Sequence, residues 1–191
     1  MKPVPNLIIV EAPQGGGKTT LTNYLRDMMP YTHLLRLAGT QDKTIEGREP
    51  VYKMHKSILD MIKDTSGMIN YVMDRSHLSE QVYCSLGYKE YSFDKQCMSL
   101  NKKLNELTKY YNVYLVGLMT TAEEYEKRLK RDKPKYLDIE FNKESSELQQ
   151  IGYYLEILRI HSKYPNINTL LIDTTNKTPE EVAKEVLSHL F

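Results

Sequence analysis

A chain of 191 residues is long enough for one medium-sized domain with a substantial core. Its 26 lysines and arginines nearly balance 25 aspartates and glutamates, so no global field argues for nucleic acid or a membrane surface as the main partner. No apolar run approaches a membrane span or resembles a signal peptide, and Cys84 and Cys97 lack metal-like spacing and make no disulfide framework; the expectation is one cytoplasmic domain, residues 1–191, with idle thiols.

The first strand is expected at 7–10, Leu7-Ile8-Ile9-Val10. It runs into Glu11-Ala12-Pro13-Gln14-Gly15-Gly16-Gly17-Lys18-Thr19-Thr20, and a helix follows over 21–28. Further strands are expected at 33–37, 69–73, 113–119 and 169–172. Helical spacing marks 51–62, where Val51, Met54, Ile58, Leu59 and Ile62 share a face, and also 78–86 and 93–110. Thr120 or Thr121 can cap a helix over 121–130, whose first-turn acids suit the macrodipole. The stretch 131–143 mixes charge, proline and aromatics and reads as a loop or lid. A longer helix over 145–163 carries an apolar stripe of Leu148, Ile151, Tyr154, Leu155 and Leu158. Thr178 caps the last helix, with Pro179 at its first position. Strands alternating with helices predict βαβ units around one parallel sheet, whose carboxyl edge binds ligands in open α/β folds.

Residues 12–19 fit the phosphate-binding pattern G-x-x-x-x-G-K-[ST] in a strand–turn–helix context, except that Ala12 stands for the first glycine. Gly15, Gly16 and Gly17 let successive backbone N–H groups point into one concavity, and the helix N-terminus adds partial positive charge. Lys18 would reach the β- and γ-phosphates of a nucleoside triphosphate, and the Thr19 hydroxyl would ligate Mg²⁺. Asp74 and Arg75 follow the third strand and emerge at the same edge. The carboxylate there can orient a Mg²⁺-bound water or a nucleophilic oxygen, and the guanidinium can take phosphate in a fork. From Lys127 to Lys135 six of nine residues are basic. Arg128 and Arg131 lie one helical turn apart and can face one ligand, as stabilising a transferring phosphoryl group requires. A phosphodiester is the competing partner for that cluster.

In this order, these stretches resemble the thymidylate kinases and, more distantly, the deoxynucleoside kinases of the P-loop kinase class. Glu-x-Pro-x-Gly-x-Gly-Lys-Thr-Thr at 11–20 is similar to their phosphate loop, and Asp-Arg-x-x-Leu-Ser-x-Gln-x-Tyr at 74–83 to the thymidylate kinase Asp-Arg motif. The resemblance implies a three-layer α/β P-loop kinase fold, a five-stranded parallel sheet with helices on both faces and a short basic lid at about 127–143. It implies ATP and Mg²⁺, with Gln14, Gly15, Gly16, Gly17, Lys18, Thr19 and Thr20 around the phosphates and Thr19 and Asp74 at the metal. Arg128 and Thr174 would flank adenine. Arg36 and Arg75 would hold the acceptor's phosphate, Ser79 and Glu80 its base, and Tyr83 would stand under the sugar against a 2′-hydroxyl. Lys18, Asp74, Arg75 and Arg131 would carry the transfer, with Lys133 or Lys135 closing over the phosphates. A homodimer is implied as well.

Three positions depart from the family. Gln14 replaces a usual acid that contacts the sugar hydroxyl, Gly15 stands where some members carry a catalytic arginine, and Glu80 replaces an amide or small residue. His55 and Tyr52 are expected as an exposed histidine and a packing tyrosine, and Arg48 as a pocket residue or a surface charge. The leading expectation is Mg-ATP-dependent transfer to a deoxynucleoside monophosphate, dTMP giving dTDP, because the second strand ends in Arg36 without a neighbouring carboxylate. The alternatives are a deoxynucleoside kinase acting on a 5′-hydroxyl, which Ser76 favours, a kinase for a modified nucleotide or polynucleotide, and a nucleotide-dependent switch.

Overall fold

The computed structural model describes residues 4–129 and 142–190. Its strands are β1 (Asn6–Glu11), β2 (Thr32–Arg36), β3 (Asn70–Asp74), β4 (Asn112–Met119) and β5 (Asn168–Asp173). All pair in parallel, in the order β2-β3-β1-β4-β5. Among the described residues the helices are α1 (Lys18–Met28), α2 (Arg48–Asp64), α3 (His77–Ser85), α4 (Asp94–Glu106), α5 (Ala122–Leu129), α6 (Lys143–Lys163) and α7 (Pro179–Leu190). With β1 central, the turn after it opens in the middle of the carboxyl edge, at the point where strand order reverses.

Successive side chains of a strand face opposite ways, so a strand buried on both faces is a continuous apolar run. In β1, Leu7 and Ile9 join a core with Leu59 and Ile62 of α2, Leu100 and Leu104 of α4 and Ile157 and Ile160 of α6. Ile8 and Val10 face the other way, onto Leu21 and Leu25 of α1 and Val182 and Val186 of α7. Helix starts are secured locally. Ser76 accepts the Leu78 amide at α3, Asn142 and Ser145 form a capping box at α6, and Thr178 and Glu181 bond reciprocally at α7. No side chain caps α1, which suits a helix whose first amides face an anion.

Three expectations are corrected. The helix over 93–110 ends at Glu106 and passes into a 3₁₀ turn at Leu107–Lys109. His55 is buried, its ring edge-on to His77 at 6.1 Å between centroids. Burial depresses His77 to about 4, against a bond to Asn101, and burial and His77 depress His55 to about 3. The stripe Leu148, Ile151, Tyr154, Leu155 and Leu158 faces outward, while Ser146, Gln149, Tyr153, Glu156, Ile157 and Ile160 are buried. Two glycines set that rotation: a Cβ on Gly117 of β4 would lie 2.5 Å from Ile157, and one on Gly152 would lie 2.8 Å from Val82 of α3. Close approach at both places turns the Tyr153–Ile157 face inward.

Candidate active site

The turn after β1 is built for backbone amides rather than side chains. Gly15 and Gly17 have φ of +81° and +89°, left-handed values that glycine adopts without strain. Ala12 is fully buried in the core shared by α1 and α7, so the alanine at the pattern's first glycine is a packing residue. Lys18 is buried, and its Nζ donates to the carbonyls of Ala12 at 2.7 Å and Pro13 at 2.8 Å. Thr19 Oγ1 donates to Asp74 Oδ2 at 2.7 Å, which ties the start of α1 to the end of β3.

Beside this loop lies a cavity of about 360 Å³, lined by residues Gln14 through Leu21 and, opposite them, by Leu118, Glu124, Arg128, Thr174, Lys177, Pro179 and Val182. Arg128 is fixed there by three bonds. Its Nε donates to Glu124 at 3.0 Å, and its terminal nitrogens to the Thr174 hydroxyl and carbonyl at 3.0 and 2.9 Å. Held by these bonds at the wall of a cavity that Leu118 and Val182 also line, the guanidinium offers a planar cation on which a base can stack. Leu129 and Tyr125 lie over Gly15.

On the other side of Lys18 sits Arg75. Its backbone has φ of +77°, a strained value for a residue with a side chain, while its amide donates to the Val10 carbonyl at 3.1 Å. The guanidinium donates to Tyr153 Oη at 3.0 Å and Ser79 Oγ at 3.3 Å. Burial alone would lower its pKa; Tyr153, Tyr83, Glu11 and Asp74 outweigh that and raise it. The charge is permanent. Glu11 lies beneath, fully buried, accepting the Ser76 amide at 2.7 Å and the hydroxyls of Ser76 at 2.6 Å and Ser79 at 2.8 Å. Burial pushes its pKa up, and the serine bonds, Arg75 and Lys18 hold it back. Tyr83 is buried beside Arg75, edge-on to Tyr88.

The fold thus brings Gln14, Gly15, Gly16, Gly17, Lys18, Thr19 and Thr20 together with Arg128 and Thr174 around one cavity, and sets Asp74, Arg75, Ser79 and Tyr83 at the adjoining edge. Arg36 pairs in register with Asp74 and is exposed, bonded to Asn23 Oδ1. Glu80 is committed elsewhere: it accepts from Tyr91 Oη at 2.5 Å and lies 3.4 Å from Lys89 Nζ, which also donates to the carbonyls of Thr40 and Asp42. Arg131, Lys133 and Lys135 fall outside the described residues. Thr19 and Asp74 are oxygen donors in mutual contact, a set that fits a hard divalent cation such as Mg²⁺ holding most of its waters.

Sequence reasoning passed over Glu11, Glu124 and Tyr153 as working residues. Tyr153 had one usable signal: polar Ser146, Gln149 and Glu156 share its helical face with Ile157 and Ile160, a mixture that suits a buried face more than a solvated one.

No protein-family profile matches the chain, and no curated protein matches it. Solved structures do. Thymidylate kinase from Candida albicans superposes with a TM-score of 0.65 at 16% identity, over 97% of this chain and 91% of that one. Deoxyadenosine kinase from M. mycoides with bound dCTP gives 0.59 at 14% identity, over 96% and 98% of the two chains. The same enzyme with bound dATP gives 0.58 at 14%, over 97% and 98%. At such identities the likeness carries the architecture, and that architecture is the P-loop nucleotide kinase fold.

Proposed function

We propose that the protein is a nucleoside monophosphate kinase, transferring the γ-phosphoryl group of ATP to a deoxynucleoside monophosphate, with dTMP as the favoured acceptor. ATP would lie along the glycine loop with its base beside Arg128 and Thr174. Lys18 would exchange its two loop carbonyls for phosphate oxygens. Mg²⁺, held by Thr19 and Asp74, would neutralise charge on the β- and γ-phosphates when bound. Arg75, with Arg36 approaching from β2, would grip the acceptor phosphate, and Tyr83 would exclude a 2′-hydroxyl. Arg131 would complete the positive surround of the transferred group.

One observation carries the choice of acceptor: the carboxylates at this edge are engaged. Asp74 accepts from Thr19, Glu11 from Ser76 and Ser79, and Glu80 from Tyr91. A phosphate oxyanion needs no strong base, whereas a sugar hydroxyl does. Ser76, the residue favouring a nucleoside kinase, caps α3 and bonds Glu11, which accounts for a serine there on structural grounds. The test is ADP release from ATP and Mg²⁺ across a panel of deoxynucleoside monophosphates, ribonucleoside monophosphates and nucleosides. Stimulation by monophosphates, dTMP foremost, is expected; turnover with nucleosides alone would overturn the reading.

A further inference from the structure

Two polar side chains of α6 are buried without a structural task. Gln149 and Ser146 are fully buried, and among the described residues neither end of the Gln149 amide nor the Ser146 hydroxyl has a hydrogen-bond partner. A dry primary amide with both ends unmet is costly. Its neighbours along the helix show what it faces. One turn on, Tyr153 receives Arg75 at 3.0 Å and meets Ser79 at 2.9 Å. Gln150 takes the Thr120 amide, just past β4, at 2.8 Å, and Gly152 packs against Val82 of α3. At 3.6 residues per turn, Gln149 projects about 40° from Tyr153, on the Gly152 side, and about 6 Å nearer the start of the helix. The amide is therefore directed above the carboxyl edge of the sheet, between Arg75 and the Val82–Tyr83 turn of α3.

We propose that Gln149 binds the 3′-hydroxyl of the acceptor's sugar. This rests on the reading above, in which Arg75 grips the acceptor's phosphate and Tyr83 lies under its sugar. A phosphate only accepts hydrogen bonds and would leave the Gln149 oxygen unmet, and Arg75 already serves that group from below. A hydroxyl both donates and accepts, which answers both ends of a primary amide. The acceptor's 5′ position carries the phosphate, and Tyr83 excludes a 2′-hydroxyl, so the 3′-hydroxyl is the sugar group that remains. An amide suits the place better than a carboxylate, because a neutral group needs no charge partner in a dry site. Ser146, on the same face and nearer the start of the helix, keeps that strip polar.

The test compares each 2′-deoxynucleoside monophosphate with its 2′,3′-dideoxy analogue, read as the ratio of their kcat/KM values. In the wild type the ratio should be at least about tenfold, because without the hydroxyl the amide stays unmet. In Gln149→Leu it should fall to within about twofold, the scatter of groups that do not interact, with the KM for ATP unchanged. The same substitution should raise the midpoint of chemical denaturation, since it removes a buried amide that no neighbour satisfies; a scaffold role would lower the midpoint and leave the ratio alone. Gln149→Met, unbranched and of similar length, repeats both measurements should leucine fit poorly. A wild-type ratio near one, a ratio unchanged in the variants, or a shift in base preference in its place would overturn the proposal. The comparison runs equally on nucleosides and their 3′-deoxy analogues, so turnover with nucleosides alone would overturn the monophosphate reading while leaving this test intact.

Discussion

Thr19 Oγ1 donates to Asp74 Oδ2 at 2.7 Å, so the first turn of α1 and the last residue of β3 share one oxygen cluster before any ligand arrives. Asp74→Asn keeps the size of the side chain and removes its charge. The expectation is that Mg²⁺ no longer strengthens ATP binding and that turnover falls about 100-fold or more. Titration of ATP with and without Mg²⁺ checks this: metal-free binding should be nearly unchanged in the variant.

Tyr153→Phe deletes only the hydroxyl that receives Arg75 and meets Ser79 at 2.9 Å. Loss of one bond to a charged group is worth about 1.5–3 kcal/mol, so the KM for the acceptor should rise about tenfold or more while the KM for ATP stays put. Equal loss for both nucleotides would assign Tyr153 to the scaffold instead.

Tyr83→Ala opens space beside Arg75. Discrimination between deoxyribo- and ribonucleotide acceptors should relax, read as the ratio of their kcat/KM values. An unchanged ratio would remove Tyr83 as the sugar gate.

The Lys89–Glu80 pair is enclosed, with side chains 0% and 2% exposed. Lys89→Met leaves the carboxylate without its cation in a dry site, and breaking such a pair costs about 3–5 kcal/mol. Chemical denaturation should register that loss. Base preference should be unaffected in the protein that remains folded, because Glu80 is engaged by Tyr91 and by Lys89, whose ammonium holds the carbonyls of Thr40 and Asp42, rather than by an acceptor base.

Stability should also fall in mild acid. The fold keeps His55 at about 3 and His77 at about 4, both below the ordinary 6.5. As pH drops below 6.5 the unfolded chain gains protons that the folded chain refuses, so unfolding becomes easier by about 1.4 kcal/mol per pH unit for each histidine. His55→Leu should flatten the slope of unfolding free energy between pH 6.5 and 4.5 by about that amount. An unchanged slope would return the effect to the carboxylates.

Much of this molecule was legible because its signals are local. A strand buried on both faces announces itself as an unbroken apolar run, and the glycine turn, Lys18 and Thr19 sit within one motif, so their placement follows from that of β1. Arg128 was readable for the same reason, lying on a capped helix at a strand's carboxyl end. The role of Glu80 was not, because its partners Lys89 and Tyr91 come from a loop beyond α3. The face of α6 was misread on physical grounds: periodicity finds an apolar stripe but cannot say which surface covers it. Tyr153 inherited that error, being the neighbour of the residue assigned to the core.

Arg75 leaves a final consequence. Its left-handed backbone is one that glycine would occupy freely, so Arg75→Gly would relieve about 1 kcal/mol of backbone strain while taking the guanidinium from Tyr153, Ser79 and the buried Glu11. A library sorted only for heat resistance would weigh that relief against the buried bonds to Tyr153 and Ser79, and one sorted for turnover would hold arginine outright. Divergence of the two populations at residue 75 would mark it as a place where durability and catalysis pull the sequence in opposite directions.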